Sequence, residues 1–193
     1  MRPGLLFVAW LLLAAAPASA QTEITDATVN DLLRRAEDAF QQGRVADAAS
    51  TVERVTAWAK HIRDVAPGSR NPAQEYAFAE RISQRVLATV GRTFGADHET
   101  GFNALLGLAT YYIEQRREAE ADPLLARAMR IVERAPAPSE DHRRAVVARV
   151  LGQQGLLEEG RGRQGAAVQH FLRFLRATNR EHEAAAVQER LSR

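Results

Sequence analysis

Five histidines, His61, His98, His142, His170 and His182, are the side chains of this chain best suited to proton transfer or metal binding near neutral pH. Two of them recur in a pair, Asp97-His98 and Asp141-His142, an order in which a carboxylate can orient an imidazole for acid–base work. None forms a His-Glu-x-x-His helix or another compact ligand spacing, so no metal site is assigned. Glu181-His182-Glu183 reads as a solvated face near a helix end. There is no Gly-x-Ser-x-Gly elbow, no phosphate-binding loop and no dinucleotide fingerprint. Gly160-Arg161-Gly162-Arg163-Gln164-Gly165 offers glycines but has no strand before it, and reads as a tight turn between two helices. The chain has no cysteine, which excludes thiol chemistry and disulfide staples. No catalytic residue and no cofactor is assigned, and the protein is not expected to be an enzyme.

The segments that carry these residues begin with an export signal. Met1 and Arg2 supply positive charge, Leu5 to Ala16 is an uncharged apolar run, and Ala18-Ser19-Ala20 places small residues for cleavage after Ala20. The run is well short of the ~20 apolar residues that span a bilayer. Residues 1–20 are therefore expected to be a signal peptide, 21–193 a single helical repeat domain, and the product periplasmic or secreted. The pI near 9.5 suggests nucleic acid, but the 26 basic and 24 acidic residues nearly balance and their signs are interspersed. All but one of the basic residues are arginine, the exception being Lys60. A nucleic-acid partner is not expected.

Beyond the leader the apolar pattern is helical throughout. Val29, Leu32, Leu33, Ala36, Ala39 and Phe40 share one face, Gly43 interrupts, and Val45, Ala48, Ala49, Val52, Val55 and Ala59 continue the period up to Pro67-Gly68. Asn71-Pro72-Ala73-Gln74 reads as an N-cap, an N1 proline and an N3 glutamine reaching back to the cap, opening a third helix to about Thr93. Two antiparallel pairs follow, about 100–115 with 117–134 and 140–159 with 164–177, and a last helix over about 181–191 closes the chain. Ser139 is the expected cap of the 140–159 helix. No stretch alternates with period two, so the fold class is all-α.

An internal repeat organises these helices. Ile82-Ser83-Gln84-Arg85-Val86-Leu87 is echoed by Leu124-Leu125-Ala126-Arg127-Ala128-Met129, and Gly95-Ala96-Asp97-His98-Glu99 by Ser139-Glu140-Asp141-His142. Leu105, Leu108, Ala109, Tyr112, Ala121, Leu125 and Ala128 fall at the signature spacing of a helix-pair repeat, and Leu32, Ala36, Gly43, Val45, Ala48, Val52 and Val55 repeat it. The last pair keeps Gly162, Ala167, Phe171 and Phe174. The unit around 71–97 matches only in its second half, and the helix that would precede it falls within 55–66. With its Gly-x-Asp-His loop, the chain resembles tetratricopeptide repeat (TPR) proteins of the kinesin light chain type.

The resemblance implies antiparallel helix pairs stacked as a short right-handed TPR-like solenoid, with Ala48, Ala121 and Ala167 at close helix contacts. It also implies a partner-binding face on the first helices, at Asn30, Arg34, Glu37 and Gln41 and at Asn103, Thr110 and Glu114. The family's carboxylate-clamp lysines are absent. The function it implies is a non-catalytic scaffold holding a peptide or protein segment. An alternative is an adaptor that docks on membranes or self-associates through Arg173, Arg176 and Arg180, since 160–180 holds five arginines and no acid.

Overall fold

A computed structural model describes residues 24–134 and 139–192. The expected signal peptide and cleavage after Ala20 fall outside the described residues, as do residues 135–138. The described residues form eight α-helices and no strand: α1 (Asp26–Gln41), α2 (Val45–Val65), α3 (Pro72–Thr93), α4 (Phe102–Glu114), α5 (Glu118–Arg134), α6 (Glu140–Gly160), α7 (Gln164–Ala177) and α8 (Glu181–Leu191). None of them is long and apolar enough to cross a membrane.

Local chemistry sets the helix ends. Thr25 caps α1 in a reciprocal box with Thr28. Ser139 accepts the His142 amide at 3.1 Å and caps α6 as expected. At α3 the Asn71 side chain accepts the Gln74 amide at 3.4 Å, but the expected return bond from Gln74 is replaced. The Asn71 amide donates to Ser69 Oγ at 3.2 Å instead. α2 runs unbroken from Val45 to Val65, so no separate helix lies within 55–66 ahead of α3.

The described residues fall into two compact units that part between Ile82 and Ser83, inside α3. In the first unit α1 and α2 pack antiparallel through Val29, Leu33, Ala36 and Ala39 against Ala48, Val52, Val55 and Ala59, all buried. In the second unit α4 packs against both α5 and α6, α6 also against α5 and α7, and α8 against α7. Phe102, Leu105, Leu108, Ala109 and Tyr112 of α4 are buried with Leu125, Ala128 and Ile131 of α5.

Four helix-to-helix turns are copies of one another. Each has a left-handed residue, Gly43 (φ 74°), Arg116 (φ 60°), Gly162 (φ 71°) or Asn179 (φ 58°), followed by an arginine. The arginine amide donates to the carbonyl five residues back: Arg44 to Ala39, Arg117 to Tyr112, Arg163 to Glu158 and Arg180 to Leu175, at 2.8–2.9 Å. This bond is the helix-terminating pattern that a left-handed residue makes possible. The arginine carbonyl then accepts the amide of an alanine four residues on, Ala48, Ala121, Ala167 or Ala184, at 3.0–3.2 Å. Three of these alanines are fully buried, and Ala167 is half-buried. At Ala167 the neighbouring helix comes close: a Cβ on Gly155 of α6 would lie 3.7 Å from the Ala167 carbonyl.

In three of the turns the arginine also grips an acid three residues on: Arg44 with Asp47, Arg117 with Glu120 and Arg180 with Glu183. The last two pairs are bidentate at 2.6–2.7 Å, and the guanidinium holds each glutamate's pKa below its ordinary value. The α6–α7 turn has Ala166 in the acid's place. There Arg163 turns back to Glu158, which also takes Arg161 at 3.1 Å, while Arg161 reaches Asp122 at 2.9 Å and the Glu118 carbonyl at 3.2 Å on α5. A missing local acid is thus replaced by a network that ties consecutive hairpins together.

Candidate functional site

The two Asp-His pairs do different structural jobs. His98 accepts the Thr100 amide at 3.3 Å, capping the short 3-10 turn Glu99–Gly101 ahead of α4, and its ring stacks on Phe94 at 4.9 Å. Asp97 lies 3.3–3.6 Å from the guanidinium nitrogens of Arg127, Arg130 and Arg134, on successive turns of α5. Arg127 also holds the Ala96 carbonyl, so the loop is clamped to α5 from two points. His142 is exposed in the first turn of α6. His98 thus caps the turn ahead of α4 while Asp97 ties the loop to α5, and Asp141 and His142 stand in the first turn of α6.

The first-helix faces are where the remaining sequence-derived residues lie. On α1, Asn30, Arg34 and Gln41 are exposed and Glu37 is half-buried. Arg34 is held at 2.8 Å by Asp31, whose carboxyl is kept below the ordinary range chiefly by that hydrogen bond. On α4, Asn103 and Glu114 are exposed, and Thr110 is half-buried with its hydroxyl donating to the Leu106 carbonyl at 2.8 Å. Asn103, Gly107, Thr110 and Glu114 form one helical stripe at spacings of four, three and four.

The repeated turn supplies a ruler that the sequence reading lacked. Thirteen residues before the left-handed residue stands Asn30 in α1, Asn103 in α4 and Arg149 in α6. Arg149 was missed because the first helix of the last pair departs from the signature residues, although Gly162 already marked its register. The geometry bears out the equivalence within the second unit. Arg149 Nη2 donates to Asn103 Oδ1 at 3.2 Å, and the Arg149 guanidinium lies 5.4 Å from the centre of the Phe102 ring. Arg149, Gln153 and Leu156 repeat on α6 the spacing of Asn103, Gly107 and Thr110 on α4. Gln153 Oε1 is buried without a donor, and Leu156 is 50% exposed.

The arginines of 160–180 are less available than their sequence suggests. Arg161 and Arg163 are taken by Glu158, Arg176 by Glu181 and Gln188, and Arg180 by Glu183. Arg173 alone among them has no ion pair among the described residues; Phe171, on the same helix α7, is 46% exposed.

No protein-family model matches the chain, and no curated protein matches it.

Proposed function

We propose that this protein is an exported, non-catalytic scaffold of tetratricopeptide type that holds a segment of another protein on its first-helix faces. The observation that carries the reading is the repeated turn, which sets exposed polar residues at the same register on α1, α4 and α6. In the second unit, α4 and α6 joined in this way lie side by side, the kind of surface that helical repeats use for partners. The packing of α4 on both α5 and α6 supports the same reading, since within the second unit one first helix meets the next.

The test is a photoreactive residue placed at Asn103 or Thr110, with Ala126 on the exposed side of α5 as control, activated in the native envelope. A specific adduct from α4 and none from Ala126 is expected. Adducts of equal yield from all three positions, or none, would sink the scaffold reading. Export is checked separately by sequencing the N-terminus of the protein recovered from cells: it should begin at Gln21, and an intact Met1 would refute export.

The exposed Phe171 and the unpaired Arg173, both on α7, favour a second reading, in which α7 docks on membranes or on another copy. Binding to anionic liposomes, or self-association in sedimentation, that disappears in an R173E variant would support it.

A further inference from the structure

We infer that the α4–α6 face of the second unit selects a partner segment of extended backbone carrying a carboxylate and a cation about five residues apart. This rests on the scaffold reading and specifies what the face binds.

The argument starts from charges left over. Most exposed arginines of the second unit are spent on nearby acids, but Arg149 has no carboxylate partner. It is nonetheless held in place, by the Asn103 amide oxygen on one side and the Phe102 ring beneath. A guanidinium has five donors and no acceptor, so fixing it with one hydrogen bond leaves a preset fork for a carboxylate. Because arginine can only donate, the Asn103 atom facing it is the oxygen, and the Asn103 NH2 points away, free to meet a peptide carbonyl. One turn on, Gln153 Oε1 lacks a donor, which a peptide N–H supplies once that amide swings outward. Leu156 then offers an exposed apolar contact. At the far end of the α4 stripe Glu114 is exposed, and no cation neutralises it.

Distances along the helices set the spacing. Asn103 and Glu114 are eleven residues apart, about 16 Å at 1.5 Å per residue, and an extended chain covers that in about five residues. Leu156 lies seven residues beyond Arg149, about 10 Å, or about three extended residues from the carboxylate. The surface therefore fits a segment with acid, then an apolar side chain three residues on, then a base two further. Small residues in between suit the approach to Gly107.

The experiment titrates the isotope-labelled protein with three blocked hexapeptides: Asp-Ala-Ala-Val-Ala-Lys, and the versions with Asp at both ends or Lys at both ends. Amide resonances report the binding site. The mixed peptide is expected to bind most tightly, shifting Asn103, Arg149 and Leu156, with R149E weakening it by about two- to fivefold. The same variant should gain affinity for the Lys-Lys peptide, a reversal that mere loss of packing does not produce. R149K, which keeps the charge but not the fork, should fall between. Equal affinities for all three peptides, shifts confined to other helices, or no shift at all each overturn the charge selection. The scaffold reading falls only if crosslinking from α4 in the envelope also fails, so the two outcomes are separable.

Discussion

Glu158 is 9% exposed and receives two guanidiniums, Arg161 and Arg163, in the one turn that has no local acid. Removing its charge leaves both arginines facing a buried neutral amide. A broken, fully buried ion pair costs about 3–5 kcal/mol, and since Arg163 is half in water the loss for Glu158→Gln should be about 1–3 kcal/mol. Thermal denaturation followed by circular dichroism should show this as a fall of about 2–4 °C per kcal/mol, and an unchanged midpoint would mean the network is ornamental. His170 belongs to the same neighbourhood. Burial, reinforced by the charge of Arg173 and opposed by Glu158, lowers its pKa below the ordinary 6.5, and its Nδ1 has no partner. The folded state therefore holds this ring neutral more strongly than the unfolded chain does. The stability this gives is present above pH 6.5 and is lost as the pH falls through the lower, folded value. Melting midpoints measured from pH 7.5 to 5 should drop in the wild type and drop less in H170N; parallel curves would remove His170 as the cause. Glu158 did not stand out in the sequence, because its network extends through Arg161 to Asp122, which only folding brings within reach.

Helix limits were legible because the signals are local. α7 and α8 match the sequence expectation at both ends, and Ser139 and Asn71 cap the helices they were expected to cap. The common turn was legible only where glycine marks it, at Gly43 and Gly162; at Arg116 and Asn179 the same conformation is held by residues that do not advertise it. That difference yields a set of opposed effects. An L-residue in the left-handed region carries about 1–2 kcal/mol of strain, less for asparagine. Gly43→Ala and Gly162→Ala should therefore destabilise by about 1 kcal/mol, although a Cβ at either would meet no atom within 4 Å. Arg116→Gly should stabilise by about 0.5–1 kcal/mol after the added freedom of the unfolded chain is subtracted, and Asn179→Gly should be nearly neutral. Chemical denaturation of the four variants decides it, and an effect of the same sign in all four would mean the turns are not one structure. Buried Ala121 tests the helix contact behind the turn. Ala121→Arg overpacks that contact and buries an unpaired charge, so a loss of about 3 kcal/mol or more is expected, and an unaltered melt would refute the repeat register.

Across the described chain, burial is unevenly distributed. α4 has eight buried residues in thirteen, whereas Ala184 is the buried residue of α8. Opening free energy follows the apolar surface that an opening exposes, so amide hydrogen exchange should be slowest in α4 and fast in α8. Uniform protection over the second unit would contradict that order. The α4 half of the proposed face lies on the most heavily buried helix, which suits a site that must hold two charges at a fixed separation. The internal repeat pointed to the α4 half of the proposed face and not to the α6 half, because Arg149, Gln153 and Leu156 keep the register of Asn103, Gly107 and Thr110 without sharing their residue types.

The near-absence of lysine has a practical side. Lys60, paired with Asp64 on α2, is the one side-chain amine of the chain, and 83–193 contains none. Reagents that join proteins through primary amines therefore have no foothold on α4 or α6, and a partner bound there would pass unrecorded in an amine-based interaction survey. The same scarcity makes the protein easy to mark: an amine-reactive dye finds the N-terminal amine and Lys60, both outside 83–193, and leaves the second unit's faces untouched for binding measurements.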